Sequence, residues 1–199
     1  MDLIILAGMP ASGKTTFSFK LSKALNYPVL EKDAIKEELF DVIGFENYTQ
    51  KRLMDTAATA VLLRCADSLL STNQSFIMVN NFRKDAEEAV DKLIKKHNCN
   101  CLFIFFGGEG DVFYKRYVER DLRNERHLGH VLQEHYPPHE GDALTHTMTR
   151  EEFCEKFEKL GMDKFEVEGI KRIDVDATYP EKIDVLALIG KIKDMLGDK

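Results

Sequence analysis

One octapeptide, Gly8-Met9-Pro10-Ala11-Ser12-Gly13-Lys14-Thr15, constrains this chain more than any other feature. It matches GxxxxGK[ST] at every fixed position. Its surroundings match as well: the apolar run Leu3 to Ala7 reads as a buried strand, and Lys14 to Leu25 as an amphipathic helix. A strand, a glycine-rich turn and a helix in that order gather backbone amides at a helix N-terminus, where anions are favoured. Gly8 and Gly13 permit backbone conformations closed to other residues. Lys14 is a point charge suited to β- and γ-phosphates, and the Thr15 hydroxyl suits Mg²⁺. Pro10, Ala11, Ser12 and Thr16 complete the expected phosphate cradle.

The rest of the chain alternates short apolar runs with helical patterns, the mark of an α/β fold. Further strands are expected at Pro28 to Leu30, Ser75 to Val79, Cys101 to Phe106 and Lys171 to Val175. Helices are expected over 33–42, 49–70, 85–97, from Asp111 onward, 151–160 and 183–196. Right-handed crossovers then predict a five-stranded parallel sheet flanked by helices, in one domain over 1–199. Residues 119 to 148 fit neither periodicity, and 111–148 reads as a lid or insertion beside the strand ends.

Composition excludes several classes. With 44% apolar and 31% charged residues the chain is not disordered, and no apolar run reaches the ~18 residues of a membrane span. The N-terminus lacks the basic start and long apolar core of a signal peptide, so a cytoplasmic protein is expected. Cys65, Cys99, Cys101 and Cys154 form no CxxC pair or zinc spacing and read as small buried side chains. The net charge of −6 argues against long nucleic acid as a partner, so any phosphate must be held by local cations.

A GTPase would need an NKxD after a strand, and none exists; Asp41 to Gly44 matches DxxG but follows a helix. ABC-type signatures are absent too. A compact kinase remains, which needs a group for the acceptor hydroxyl, a cationic lid and a seat for adenine. Glu31-Lys32-Asp33-Ala34-Ile35-Lys36 follows the second strand, expected beside the loop-bearing strand. Asp33 is the candidate base, which accepts or orients the hydroxyl proton; it equally suits the N-cap of the next helix. Lys32 and Lys36 suit either solvent or an anionic substrate. Arg116, Arg120, Arg123, His127 and His130 recur at spacings of four, three, four and three. On one continuous helix they form a cationic stripe opposite Tyr114, Val118 and Leu122, with Arg126 beside it and Gly129 ending the helix. Glutamates and aspartates interleave, so a solvated, salt-bridged helix is the alternative. His127-x-x-His130 resembles half a metal site, while His135, His139 and His146 lack tight ligand spacing.

Together GMPASGKTTFS at 8–18, EKDAIKEELFD at 31–41 and Arg123-x-x-Arg126-His127-x-Gly129-His130 resemble P-loop kinases of the zeta-toxin, gluconate kinase and polynucleotide kinase type. They are more similar still to small AAA-domain ATP-binding proteins beside them. The resemblance implies a P-loop NTPase fold, MgATP as phosphoryl donor and a hydroxyl acceptor. It carries the nucleophile-activating role onto Asp33 and the lid role onto Arg120, Arg123 and Arg126, and sets Ala177, Thr178 and Tyr179 beside adenine; Lys14 is expected to act with them in catalysis and Arg116, from the stripe, to contact the nucleotide. One departure stands out: the third strand ends Val79-Asn80-Asn81, where many relatives carry an acid. The function expected is phosphorylation of a small hydroxylated molecule by a monomer or homodimer. A polynucleotide or nucleotide-sugar kinase, or an ATP-binding regulatory module with little transfer, are the alternatives.

Overall fold

The computed structural model of the protein describes residues 1–123, 125–140, 142 and 148–197. Its frame follows from period-two burial in the strands. In β1 (Asp2–Gly8), Ile4 and Leu6 enter one core, and Leu3, Ile5 and Ala7 the other. Every residue from Leu3 to Ala7 is fully buried, as a strand covered on both faces requires. The first core is closed by α1 (Lys14–Leu25), α5 (Gly110–Leu122), α7 (Arg150–Leu160) and α8 (Val185–Leu196). The second lies under α3 (Tyr48–Ser71) and α4 (Glu87–His97).

The strands β1, β2 (Val29–Glu31), β3 (Phe76–Val79), β4 (Asn100–Gly107) and β5 (Lys171–Asp176) form one sheet in the order β2-β3-β1-β4-β5. All pairings are parallel, with Leu6 opposite Val79 on one side and Ile104 on the other. The chain leaves β1 at the point where successive connections diverge to opposite halves of the sheet, where ligands of open α/β sheets bind. One expectation is corrected here. β2 does not neighbour β1, because β3 lies between them. Asp33 nevertheless reaches the loop, since α2 (Lys32–Ile43) starts directly from the end of β2.

The lid also departs from a single helix. The helix α5 stops at Leu122, and a short, separate α6 (Leu128–Val131) follows. Arg126, between the two helices, pairs with the buried Asp121 at 3.4 Å and lies over the Tyr117 ring, so it does not continue the stripe of α5. Phe113 and Tyr117 form the buried face of α5, whereas Leu122 is exposed. Gly129 lies within α6 instead of ending a helix. The Phe40 ring is so near that a Cβ would stand 2.3 Å from its Cδ2.

Smaller differences concern the start of α4, where a 3-10 turn over Lys84–Ala86 holds Asp85 against Arg83 at 3.4 Å. Cys101 is buried, and burial pushes its thiol well up; the other three cysteines are partly buried. His146 lies outside the described residues. No helix among the described residues is long and apolar enough to cross a membrane.

Candidate active site

The loop after β1 is shaped by close packing. Gly8 has φ +136, and a Cβ there would stand 2.2 Å from the Phe106 carbonyl oxygen, so only glycine fits. Met9 donates its N–H to that same oxygen at 3.1 Å and ties the loop to β4. Ala11 is held at φ 59, a strained left-handed conformation for a residue with a Cβ. Gly13 caps α1, so no side chain satisfies the first amides of the helix. Those amides open on a cavity of about 330 Å³ lined by residues 10–16, Glu31, Asp33, Asn80, Asn81 and the arginines 116, 120, 123 and 126. Unpaired N–H groups beside arginines make a seat for a polyanion.

Lys14 is buried and folded back on its own loop. Its ammonium donates to Gly8 O at 3.0 Å, Met9 O at 2.7 Å and Ser12 Oγ at 3.3 Å. Burial pulls its pKa down to about 7, with Arg120 adding to the fall and Asp33 and Glu31 opposing it. Arg120 shows the same shortage of anions. Its Nε is buried with no hydrogen-bond partner among the described residues, and burial followed by the Arg126 charge lowers its pKa. A buried donor left open in this way costs about 1–3 kcal/mol, which a bound phosphate oxygen offsets. Arg123 is exposed at the cavity rim, loosely between Glu119 and Glu125 at 3.8 and 3.9 Å.

Thr15 Oγ1 donates to Glu31 Oε1 at 2.6 Å. Donation leaves the hydroxyl lone pairs available, and burial raises the Glu31 pKa, a cost that a nearby cation would remove. Hydroxyl and carboxylate oxygens are a hard donor set that fits Mg²⁺. Sequence reasoning placed only Thr15 here. Glu31 supplies the carboxylate that Asn80 and Asn81 do not, and its position at the end of a strand two residues before Asp33 was the available signal.

Asp33 stands at the boundary of two cavities. Besides the one over the loop, it lines a second of about 420 Å³ that runs between α2, α3 and α7. Pro10, Asp33, Asn80, Asn81 and Arg126 are common to both. Burial would raise the Asp33 carboxyl, but His130, Lys32, Arg126 and Lys36 outweigh it and hold the pKa below the ordinary value. It does not cap α2, whose N-cap is Glu31 with no side-chain cap bond.

Two of the residues expected to contact the nucleotide also make structural bonds, and Arg116 lines the loop cavity as well. The Arg116 guanidinium donates to the Ala177 carbonyl at 2.9 Å and to that of Thr178, which ties α5 to the turn after β5. The Thr178 hydroxyl accepts the Glu109 N–H at 3.0 Å and does not line the loop cavity. The histidines attach the segment around α6 to α2: His127 Nε2 meets Asp41 at 3.0 Å and His130 Nε2 meets Glu37 at 3.0 Å, on either side of Phe40. His135, His139 and Asp142 converge separately, with His135 Nε2 2.7 Å from Asp142.

Comparison with known proteins fits this geometry. Over 61 residues the chain is 38% identical to a shikimate kinase of Clostridium botulinum (strain Loch Maree / Type A3), covering 27% of this chain and 36% of the relative. The chain thus spans about a third of the length of the curated relatives it matches. Its structure resembles that of a Chloroflexus aurantiacus J-10-fl protein provisionally described as a kinase, with 29% identity, a TM-score of 0.75 and 98% and 97% of the two chains covered. A gluconokinase from Sinorhizobium meliloti 1021 shares the fold at 16% identity, with a TM-score of 0.56 and coverage of 98% and 91%. Residues 3–137 match the family described as an AAA domain. With more than half of its residues in that match, the phosphate loop and four of the five strands among them, the chain belongs to the AAA domain family.

Proposed function

We propose that this protein is an ATP-dependent kinase that moves the γ-phosphoryl group of MgATP to a hydroxyl of a small molecule. The observation that carries the reading is the position of Asp33 and Arg126 on the shared wall of two cavities, one over the phosphate loop and one beyond it. A donor and an acceptor in those cavities meet at a carboxylate and a guanidinium, the pair that in-line phosphoryl transfer calls for.

The loop amides and Lys14 hold the β- and γ-phosphates, and Arg120 and Arg126 bind the charge that spreads over the transferring group. Arg123 closes from the rim. Thr15 and Glu31 would hold Mg²⁺, which supplies charge neutralisation on the phosphates when bound. Asp33 accepts a hydrogen bond from the acceptor hydroxyl and points its oxygen at phosphorus. Since its neighbours keep it ionised, its main task is orientation, with the proton leaving late in a loose transition state. The resemblance to gluconate kinases, zeta toxins and polynucleotide kinases agrees with a hydroxyl acceptor. Glu31, bonded to Thr15, offers a carboxylate where Asn80 and Asn81 offer none, which weighs against a transfer-deficient module.

The test is a screen of hydroxylated metabolites with γ-labelled ATP, run on the wild-type protein and on Lys14→Ala. Label should move to at least one acceptor with the wild type and to none with the variant. ATP binding without transfer to any acceptor in a broad screen would favour the regulatory module.

A further inference from the structure

The cavity beyond Asp33 holds more positive charge than its own acids balance. Seven lysines and arginines line it against three aspartates, in a chain whose net charge is −6. Lys32 and Lys36 share a single oxygen of Asp55, at 2.6 and 2.8 Å. Lys51 is buried and forms no ion pair among the described residues, with Asp121 the one acid that raises its pKa; its ammonium donates to the carbonyls of His130, at 2.9 Å, and Leu132. Arg52 and Lys156, at the mouth, form no ion pair among the described residues. These three come from α3 and α7 on facing walls, and none of them lines the cavity over the phosphate loop. Burial and then the charges of Lys36, Arg126 and Lys156 pull the Lys51 pKa down to about 7, so the cations already repel one another. Buried charge without an ion-pair partner is costly, and an arrangement that tolerates it suits an anionic ligand.

We propose that the acceptor is itself a phosphate ester, seated with its phosphate against Lys51, Arg52 and Lys156 while a free hydroxyl reaches Asp33. This rests on the kinase reading of the same site. A phosphomonoester carries close to two charges and three acceptor oxygens, which matches three cations on two walls; a carboxylate matches about half of that surplus. The volume of about 420 Å³ lies in the range of small-molecule sites. In the transfer the ester's hydroxyl oxygen bonds to the γ-phosphorus and the bridging P–O bond of ATP breaks. ADP leaves, the hydroxyl proton passes through Asp33 to solvent, and the product is a bisphosphate.

The experiment reads binding with the phosphate loop already filled, on protein saturated with Mg²⁺ and a non-hydrolysable ATP analogue. The probes are inorganic phosphate and a matched set of glucose, gluconate and glucose 6-phosphate, and transfer from ATP is assayed with the same sugars. Inorganic phosphate and glucose 6-phosphate should bind at least tenfold more tightly than gluconate, and glucose more weakly still. Lys156→Gln and Arg52→Gln, at exposed positions, should each weaken the phosphate probes about tenfold, the scale of one charged hydrogen bond. Gluconate or glucose binding as well as glucose 6-phosphate overturns the proposal, as does phosphate binding that ignores both substitutions. Transfer to gluconate or glucose in preference to the ester keeps the kinase reading and sinks the phosphate-ester acceptor. Binding that depends on Arg52 and Lys156, without transfer to any sugar, supports the anion seat and counts against the kinase reading.

Discussion

Lys14 carries the most direct consequence at the scale of single residues. With its pKa pulled down to about 7 by burial, it is largely neutral in the free protein at pH 8. Nucleotide phosphates favour the ammonium, so binding should take up a proton between about pH 7 and 9, and affinity should fall as pH rises through that window. Calorimetry in buffers of different ionisation enthalpy measures that uptake; a buffer-independent heat would contradict it. A second consequence concerns Asp55, which holds two buried ammoniums and whose own pKa those lysines depress strongly against the effect of burial. Asp55→Asn should destabilise the fold by about 3–5 kcal/mol, read by denaturant unfolding, since it removes the carboxylate that both ammoniums touch and leaves Asp33, 3.9 Å from Lys32, as their nearest acid. The motif residues of this site were legible because each is tied to its neighbours in sequence. Glu31 and Asp55 were not, since their partners Thr15, Lys32 and Lys36 reach them through tertiary packing.

At the scale of elements, the strands and most helices follow from local pattern, because each core face repeats at the period its element requires. What pattern could not supply was strand order. Nothing in Pro28 to Leu30 says that β3 will enter between it and β1. The lid shows the opposite limit: its cationic spacing is helical, yet the helix ends at Leu122, Arg126 pairs with Asp121 and the histidines bond to α2. Gly129 is the point on which this docking turns. Gly129→Ala should cost about 1–3 kcal/mol by overpacking against Phe40 and lower the melting temperature, with nucleotide affinity changed little. A melting temperature equal to that of the wild type would show that α6 does not bear on α2 as described.

For the whole molecule, an acidic chain concentrates its cations around two joined cavities. The loop side is held by a short sequence motif and the acceptor side by residues from several separate stretches that share no motif, so its cations were not legible as a group before the fold was known. Asp33 joins the two halves, and the account depends on it. The measurement that bears on it most directly compares ATP binding and phosphoryl transfer in the wild type and Asp33→Asn. The account predicts nucleotide affinity within a few-fold of the wild type and transfer reduced by roughly 10²–10⁴. Transfer at the wild-type rate in Asp33→Asn would contradict it.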